Sequence, residues 1–222
     1  HGGEALVIGF LTHDTSFNAI EIHNDSRGTF IRVDAVAARE GTHLKAGQSL
    51  ELPAVVMGVG EGLQSLMEEY AEQVADAMGA RVPRNGETMT GWCSWYGYYG
   101  TESAEDIIAN VEELARSPWK EHVRAIQIDD GWNVQEPGGP RVWGDWYAGH
   151  KFPDGMGAVA EFIKSNGMMP GLWLAPFSVE RASTLFADHS DWLIHDEDGK
   201  PREFWGVYGL DLTHPAARDF VY

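Results

Sequence analysis

Residues 126–132 read IQIDDGW, and this stretch decides how the rest of the chain is interpreted. Two isoleucines alternate with Gln127, which is typical of a β-strand. Asp129 and Asp130 then end the strand. Two adjacent carboxylates repel each other and resist burial, so they need solvent, hydrogen-bond donors or a polyhydroxylated ligand. The alternative is that one aspartate caps the following turn while the other faces water.

The residues on either side of this stretch alternate between strand and helix patterns. The predicted strands are Gly91–Tyr96, Arg124–Ile128 and Met169–Ala175, and the predicted helices are Ser103–Pro118 and Gly155–Asn166. Such alternation predicts a parallel sheet, either doubly wound or closed into a barrel. No GxGxxG motif follows the first strand, which disfavours a dinucleotide-binding fold. In a barrel, functional residues gather at the carboxyl ends of the strands.

The region before residue 91 has a different pattern. Residues 1 to about 60 are predicted to be β-structure, part of a sandwich, with a last strand over Ser49–Val59 in which Pro53 indicates an edge or a bulge. A helix is predicted over Gly60–Gly79, with core-facing positions at Leu63, Leu66, Met67, Tyr70, Val74 and Met78. The expected domains are therefore residues 1–80, a linker at 81–90, and a barrel segment at 91–222.

Composition excludes several function classes. The formal charge is −18, with 34 acidic and 16 basic residues, which argues against binding to nucleic acid or anionic membranes. The single cysteine, Cys93, permits no intrachain disulfide, and the histidines show no metal-ligand spacing. Asp196–Gly199 is predicted to be a hairpin turn rather than a calcium loop. We expect no cofactor or metal, and no membrane span; without a visible signal peptide we expect a cytoplasmic protein, although the chain opens at His1.

The predicted strand ends combine carboxylates with aromatic rings. Trp95 and Trp173 lie near the ends of the first and third strands, and the aspartate pair follows the second. Aromatic faces pack against the C–H side of a sugar ring, while carboxylates accept hydrogen bonds from its hydroxyls. These four residues therefore indicate a sugar-binding site. Core filling is the alternative for each tryptophan, and it is the preferred interpretation for Trp92 and Trp192.

Six motifs in order resemble the bacterial α-galactosidases of the melibiase group, which are related to raffinose synthases and α-N-acetylgalactosaminidases. The motifs are GWCSWYGYYG from Gly91, IQIDDGW from Ile126, GDW from Gly144, KFPDGM from Lys151, GLWLAPF from Gly171 and LDLTHP from Leu210. The resemblance implies a (β/α)8 barrel that hydrolyses α-galactosides with retention. It also implies that Asp129 and Asp130 bind the galactose 4- and 6-hydroxyls and that Trp95 and Trp173 line the same subsite.

The resemblance places the catalytic carboxylates outside this chain. In the family, the nucleophile lies in a Lys-x-Asp segment on the fourth strand, and the acid/base follows later. Residues 91–222 amount to 132 residues, whereas a complete barrel needs about 250, so about three of eight strands are expected. We therefore expect a fragment without catalytic residues, inactive alone. Asp145 is assigned to loop architecture or an outer substrate contact, and Asp211 to helix capping.

Three functions remain open from the sequence. The first is hydrolysis of terminal α-linked galactose by the parent protein. The second is galactosyl transfer of the raffinose-synthase kind. The third is a barrel remnant that only binds sugar. The expected partner is an α-galactoside oligosaccharide, and the sequence leaves the oligomeric state unknown.

Overall fold

The computed structural model describes residues 3–38, 42–80 and 88–222, and the chain divides into two compact units, His1–Glu87 and Thr88–Tyr222. Residues 81–87 of the predicted linker lie outside the described residues, so the linker and the domain boundaries drawn from it stay predictions. Among the residues that the structure describes, no helix is long and apolar enough to cross a lipid bilayer.

The described residues of the first unit form two antiparallel strand pairs and one helix. Its elements are β1 (Glu4–Phe10), β2 (Phe17–Asn24), β3 (Phe30–Ala38), β4 (Val55–Glu61) and α1 (Leu63–Met78). Strand β1 pairs with β4, and β2 pairs with β3. The β2–β3 connection is a tight turn, in which Asp25 Oδ1 accepts hydrogen bonds from the N–H groups of Arg27 and Thr29, each at 2.8 Å. The predicted β-structure is present, and its assignment to a sandwich stays a prediction.

Two details of the first unit differ from the predictions. Strand β4 starts at Val55, after Pro53, rather than at Ser49. The physical reason is that proline has no N–H for a strand ladder. Helix α1 contacts β1 and β4 through one row of half-buried residues spaced by four, Leu66, Tyr70 and Val74. The prediction of a wider core face was wrong for Leu63, Met67 and Met78, which are exposed because the helix covers only a narrow two-stranded sheet.

The second unit contains the parallel sheet that the sequence predicted. Strands β5 (Gly91–Cys93), β6 (Ala125–Ile128) and β7 (Met169–Leu172) lie in the order β5-β6-β7, and both pairings are parallel. The first and third strands are shorter than predicted. After β5 the chain turns at Ser94, whose helical φ of −70° and ψ of −24° start a short helix, α2 (Trp95–Tyr98). Closure of this sheet into a barrel stays a prediction.

Two longer helices cover the sheet. Helix α3 (Ala104–Arg116) begins with a capping box between Ser103 and Asp106, as predicted, and α4 (Gly155–Ser165) follows a long loop. Their buried faces meet the sheet in one core, whose buried members are Ile107, Val111, Ile126, Ile128, Trp132, Phe152, Val159, Ile163 and Met168. This core fixes the base from which the loops at the strand ends project.

The last part of the chain forms a smaller sheet. It contains β8 (Ser178–Val179), α5 (Thr184–Asp188), a 3-10 turn (Ser190–Trp192), β9 (Glu203–Phe204), β10 (Val207–Gly209) and α6 (Pro215–Val221). The strands pair antiparallel in the order β8-β10-β9. Asp196–Gly199 is a turn, as predicted, because Asp196 Oδ1 accepts from the N–H groups of Asp198 and Lys200 at 3.0 and 2.9 Å.

Candidate active site

The four predicted sugar-binding residues line one cavity at the carboxyl end of the parallel sheet. The cavity has a volume of about 430 Å³ and is lined by Cys93, Trp95, Tyr96, Asp129, Asp130, Arg141, Trp143 and Trp173. The aspartates follow β6 directly, Trp173 follows β7, and Trp95 opens α2 after β5. The parallel order of the strands explains this grouping, since their carboxyl ends meet at one edge of the sheet.

Asp129 is held by groups on two neighbouring strands. Its Oδ2 accepts from Gln127 Nε2 at 2.8 Å and from the Cys93 thiol at 3.3 Å. The Ser94 hydroxyl oxygen accepts from the backbone N–H of Asp129 at 3.0 Å. Burial raises the pKa of the Cys93 thiol, and the Asp129 carboxylate raises it further. The thiol therefore keeps its proton and remains a donor to Asp129.

Asp130 is more deeply buried, with only 5% of its surface exposed. Its Oδ1 accepts from Trp143 Nε1 at 2.8 Å, and its Oδ2 lies 3.5 Å from the Arg141 guanidinium. Arg141 also lies 3.3 Å from Glu180 Oε1. Burial raises the pKa of the Glu180 carboxyl, while the Arg141 charge lowers it. Among the described residues, neither aspartate forms an ion pair with Lys151, and both aspartates line the cavity.

Three tryptophans supply the apolar walls. Trp143 and Trp173 lie with ring centres 5.2 Å apart, and the ring of Trp95 packs edge-on against Tyr99 at 5.7 Å. The backbone of Trp173 is held by Trp132, whose Nε1 donates to the Trp173 carbonyl oxygen at 3.0 Å. Trp95 and Trp173 are only partly buried. Their faces are therefore available to a ligand in the cavity.

The loops that carry Trp95 and the aspartates cross through two glycines. Gly100 and Gly131 have φ angles of 84° and 109°, in the left-handed region that favours glycine. A Cβ added at Gly131 would overlap the Gly100 carbonyl oxygen and lie 2.7 Å from Gly100 Cα. The backbone contact therefore requires glycine at residue 131. Gly131 directly follows Asp130, so its close contact with Gly100 holds the backbone at the end of the Asp129–Asp130 pair.

A buried carboxyl group lies near the aspartate pair. Glu102 is fully buried, and neither of its oxygens has a hydrogen-bond partner among the described residues. Burial raises its pKa to about 7; the charge of Lys151 lowers the pKa, and the charges of Asp129 and Asp130 raise it. Lys151 Nζ instead donates to the Gly100 carbonyl oxygen at 2.6 Å. At neutral pH, Glu102 is thus a neighbour of the cavity that is about half protonated.

Two other aspartates considered from the sequence have structural contacts. Asp145 accepts from the N–H groups of Thr184 and Leu185 at 2.6 and 3.1 Å, so it serves loop architecture. The capping prediction for Asp211 was wrong. Its Oδ1 accepts from Thr213 N and Oγ1 within a turn, and α6 has no side-chain cap because His214 occupies that position.

The structure adds three residues that the sequence did not indicate. Arg141 and Trp143 lie in a loop without regular structure, and only the position of Trp143 next to the GDW motif could have marked it. Glu102 precedes the capping box of α3, and nothing in the local pattern indicates its burial.

For metals, the described residues contain one close group, Glu21, His23 and Asp34. The Arg32 guanidinium already lies 2.9 Å from Asp34 Oδ2 there, so the group is an ion-pair cluster.

Comparison with known proteins identifies the family of this chain. The family model described as Melibiase matches residues 49–222. An α-galactosidase of Geobacillus stearothermophilus is 28% identical over 180 residues, which are 80% of this chain and 24% of that protein. An α-galactosidase of Escherichia coli is 28% identical over 163 residues, covering 73% of this chain and 22% of its own length. The chain therefore spans about a quarter of the curated relatives that it matches.

A solved structure extends the likeness to the fold. The α-galactosidase of Thermus thermophilus, in complex with stachyose, superimposes with a TM-score of 0.68 at 26% identity. The match covers 99% of this chain and 41% of that one.

Proposed function

The chain belongs to the melibiase family, and we propose that it supplies the galactose-binding part of the active site of a retaining glycoside hydrolase that acts on terminal α-linked galactose. The observation that carries this proposal is the single cavity shared by Trp95, Asp129, Asp130 and Trp173. The α-galactosidase relatives support the reaction type. The substrate is proposed to be an oligosaccharide, since the Thermus thermophilus relative binds stachyose.

The contacts of the aspartates fit binding better than bond cleavage. Retaining hydrolysis needs two carboxyl groups about 5–5.5 Å apart, one on each side of the scissile bond. Asp129 and Asp130 are neighbours on one chain segment, and each is held by its own donors, Gln127 and Trp143. We therefore assign to them the binding of sugar hydroxyls. The nucleophile and acid/base are proposed to lie on later strands of the parent protein.

Hydrolysis is preferred to galactosyl transfer because the relatives reported above are α-galactosidases. The proposed chemistry uses carboxyl groups alone and calls for no metal or cofactor.

The proposal is tested with the full-length gene product. We expect it to release nitrophenol from p-nitrophenyl α-D-galactopyranoside and not from the β-anomer. Proton NMR should show α-galactose as the first product, which distinguishes retention from inversion. A protein that binds galactose without turnover would replace the proposal by a sugar-binding function, and β-galactose as the first product would refute the retaining mechanism.

A further inference from the structure

Two side chains outside the predicted set, Arg141 and Trp143, reach the cavity from the loop between β6 and α4. Both side chains contact Asp130, whereas Asp129 accepts a hydrogen bond from Gln127. The indole N–H of Trp143 binds Asp130 Oδ1 at 2.8 Å, and the Arg141 guanidinium lies 3.5 Å from Oδ2. One donor group therefore faces each oxygen of the carboxylate.

The two donors also contact each other. The Arg141 guanidinium carbon lies 4.5 Å from the centre of the Trp143 ring, which is within the range of a cation–π interaction. The pair is joined to the segment after β8, because Glu180 forms an ion pair with Arg141 at 3.3 Å and donates its backbone N–H to the Trp143 carbonyl oxygen at 2.8 Å. A side-chain contact and a backbone contact thus hold the loop in place over Asp130.

This arrangement matters because Asp130 is almost inaccessible to water. A buried carboxylate needs donors from the protein, and hydrogen bonds to a charged group are stronger than those between neutral groups. The last torsion of an aspartate side chain is only weakly restricted by itself. The hydrogen bond from Trp143 to Oδ1 and the Arg141 charge beside Oδ2 therefore restrict the rotation of the Asp130 carboxylate.

We propose that Trp143 and Arg141 are positioning residues, which hold the Asp130 carboxylate in the orientation that accepts hydrogen bonds from the sugar. This inference rests on the proposed function and adds to it the residues that orient the Asp130 carboxylate. Trp143 has the larger share, since its bond is shorter and Arg141 is half exposed. Glu180 acts only through Arg141 and the loop backbone.

The test compares two tryptophans of the same loop in the full-length gene product. Trp143→Phe keeps an aromatic ring and removes the N–H that Asp130 accepts. It should lower kcat/KM for p-nitrophenyl α-D-galactopyranoside by about 10- to 100-fold. Trp146 stacks on Trp132 with ring centres 6.1 Å apart, and among the described residues no hydrogen bond or ion pair joins it to Asp130. The control Trp146→Phe should therefore stay within about threefold of the wild type.

A double-mutant cycle then separates positioning from packing. In the Asp130→Ala background no carboxylate remains to be oriented, so Trp143→Phe should change kcat/KM by less than about threefold. Arg141→Gln serves as a second variant, because the half-exposed Arg141 side chain tolerates replacement. It should lower kcat/KM by about three- to tenfold in the wild-type background. This loss should vanish in the Asp130→Ala background. Thermal unfolding by circular dichroism checks that each variant is folded.

The possible outcomes distinguish failure of the positioning role from failure of the proposed function. An equal loss from Trp143→Phe in both backgrounds would overturn the positioning role, and so would a matching loss from Trp146→Phe. A wild-type protein without turnover or saturable binding of α-galactosides would instead refute the proposed function, on which the inference depends.

Discussion

Glu102 is expected to make the second unit less stable as the pH rises, and Glu102→Gln should remove this dependence. The side chain is fully buried, and neither oxygen has a hydrogen-bond partner among the described residues. Burial raises its pKa from the usual 4.5 to about 7. In the unfolded chain the same carboxyl group is solvated and ionises near its usual pKa.

The sign and size follow from the two pKa values. Between pH 4.5 and about 7, the folded protein holds a proton on Glu102 that the unfolded chain has lost. The free energy of unfolding therefore falls as the pH rises through this range, by about 3 kcal/mol in total at about 1.4 kcal/mol per pH unit. Below pH 4.5 both states are protonated and the effect is absent.

The measurement is urea unfolding followed by tryptophan fluorescence at pH values from 5 to 8. All nine tryptophans lie after Thr88, so the signal reports on the second unit. The free-energy difference between Glu102→Gln and the wild type should grow in favour of the variant by about 2–3 kcal/mol across this range. Glu105→Gln, at an exposed position on α3, is the control and should show no such trend. A constant difference for Glu102→Gln would refute the reasoning, because it would mean that the buried carboxyl group does not titrate in this range.

Four further expected outcomes concern the site and the loops around it. In the full-length gene product, Asp130→Ala should lower kcat/KM by about 30- to 1000-fold, because a buried charged contact to the sugar is lost. Asp145→Ala should cost far less activity and about 1 kcal/mol of stability, since Asp145 caps the first turn of α5; comparable activity losses would show that the subsite is misplaced. Gly131→Ala should lower the urea midpoint strongly, because the new Cβ would overlap the Gly100 backbone. An unchanged midpoint would contradict the close backbone contact between Gly131 and Gly100. The 222-residue chain should release no nitrophenol from a nitrophenyl α-galactoside. Turnover that an Asp129→Ala/Asp130→Ala double variant abolishes would make the pair itself catalytic.

Local patterns predicted most of the second unit. The positions of β5, β6 and β7 and their parallel pairing follow from alternating strands and helices. The capping box of Ser103 and Asp106 forms as the sequence predicts, because both partners lie within one helical turn. The sequence also placed Asp129 and Asp130 directly after a buried strand, and the parallel sheet brings them together with Trp95 and Trp173. Their assignment to sugar binding stays a prediction.

Interactions between distant segments were not predicted from the sequence. Trp143 meets Asp130 across 13 positions of an irregular loop, and no periodic pattern encodes that contact. Local patterns do not indicate the burial of Glu102, and the exposed side of α1 depends on the narrow width of the sheet beneath it. Sequence alone determined the order of the strands and helices of the second unit and which residues lie near the strand ends, because those features depend on hydrogen bonds and burial within a few residues. Only the tertiary structure decided which loop side chains contact Asp130, because that depends on how the irregular loop between β6 and α4 folds back over the strand end.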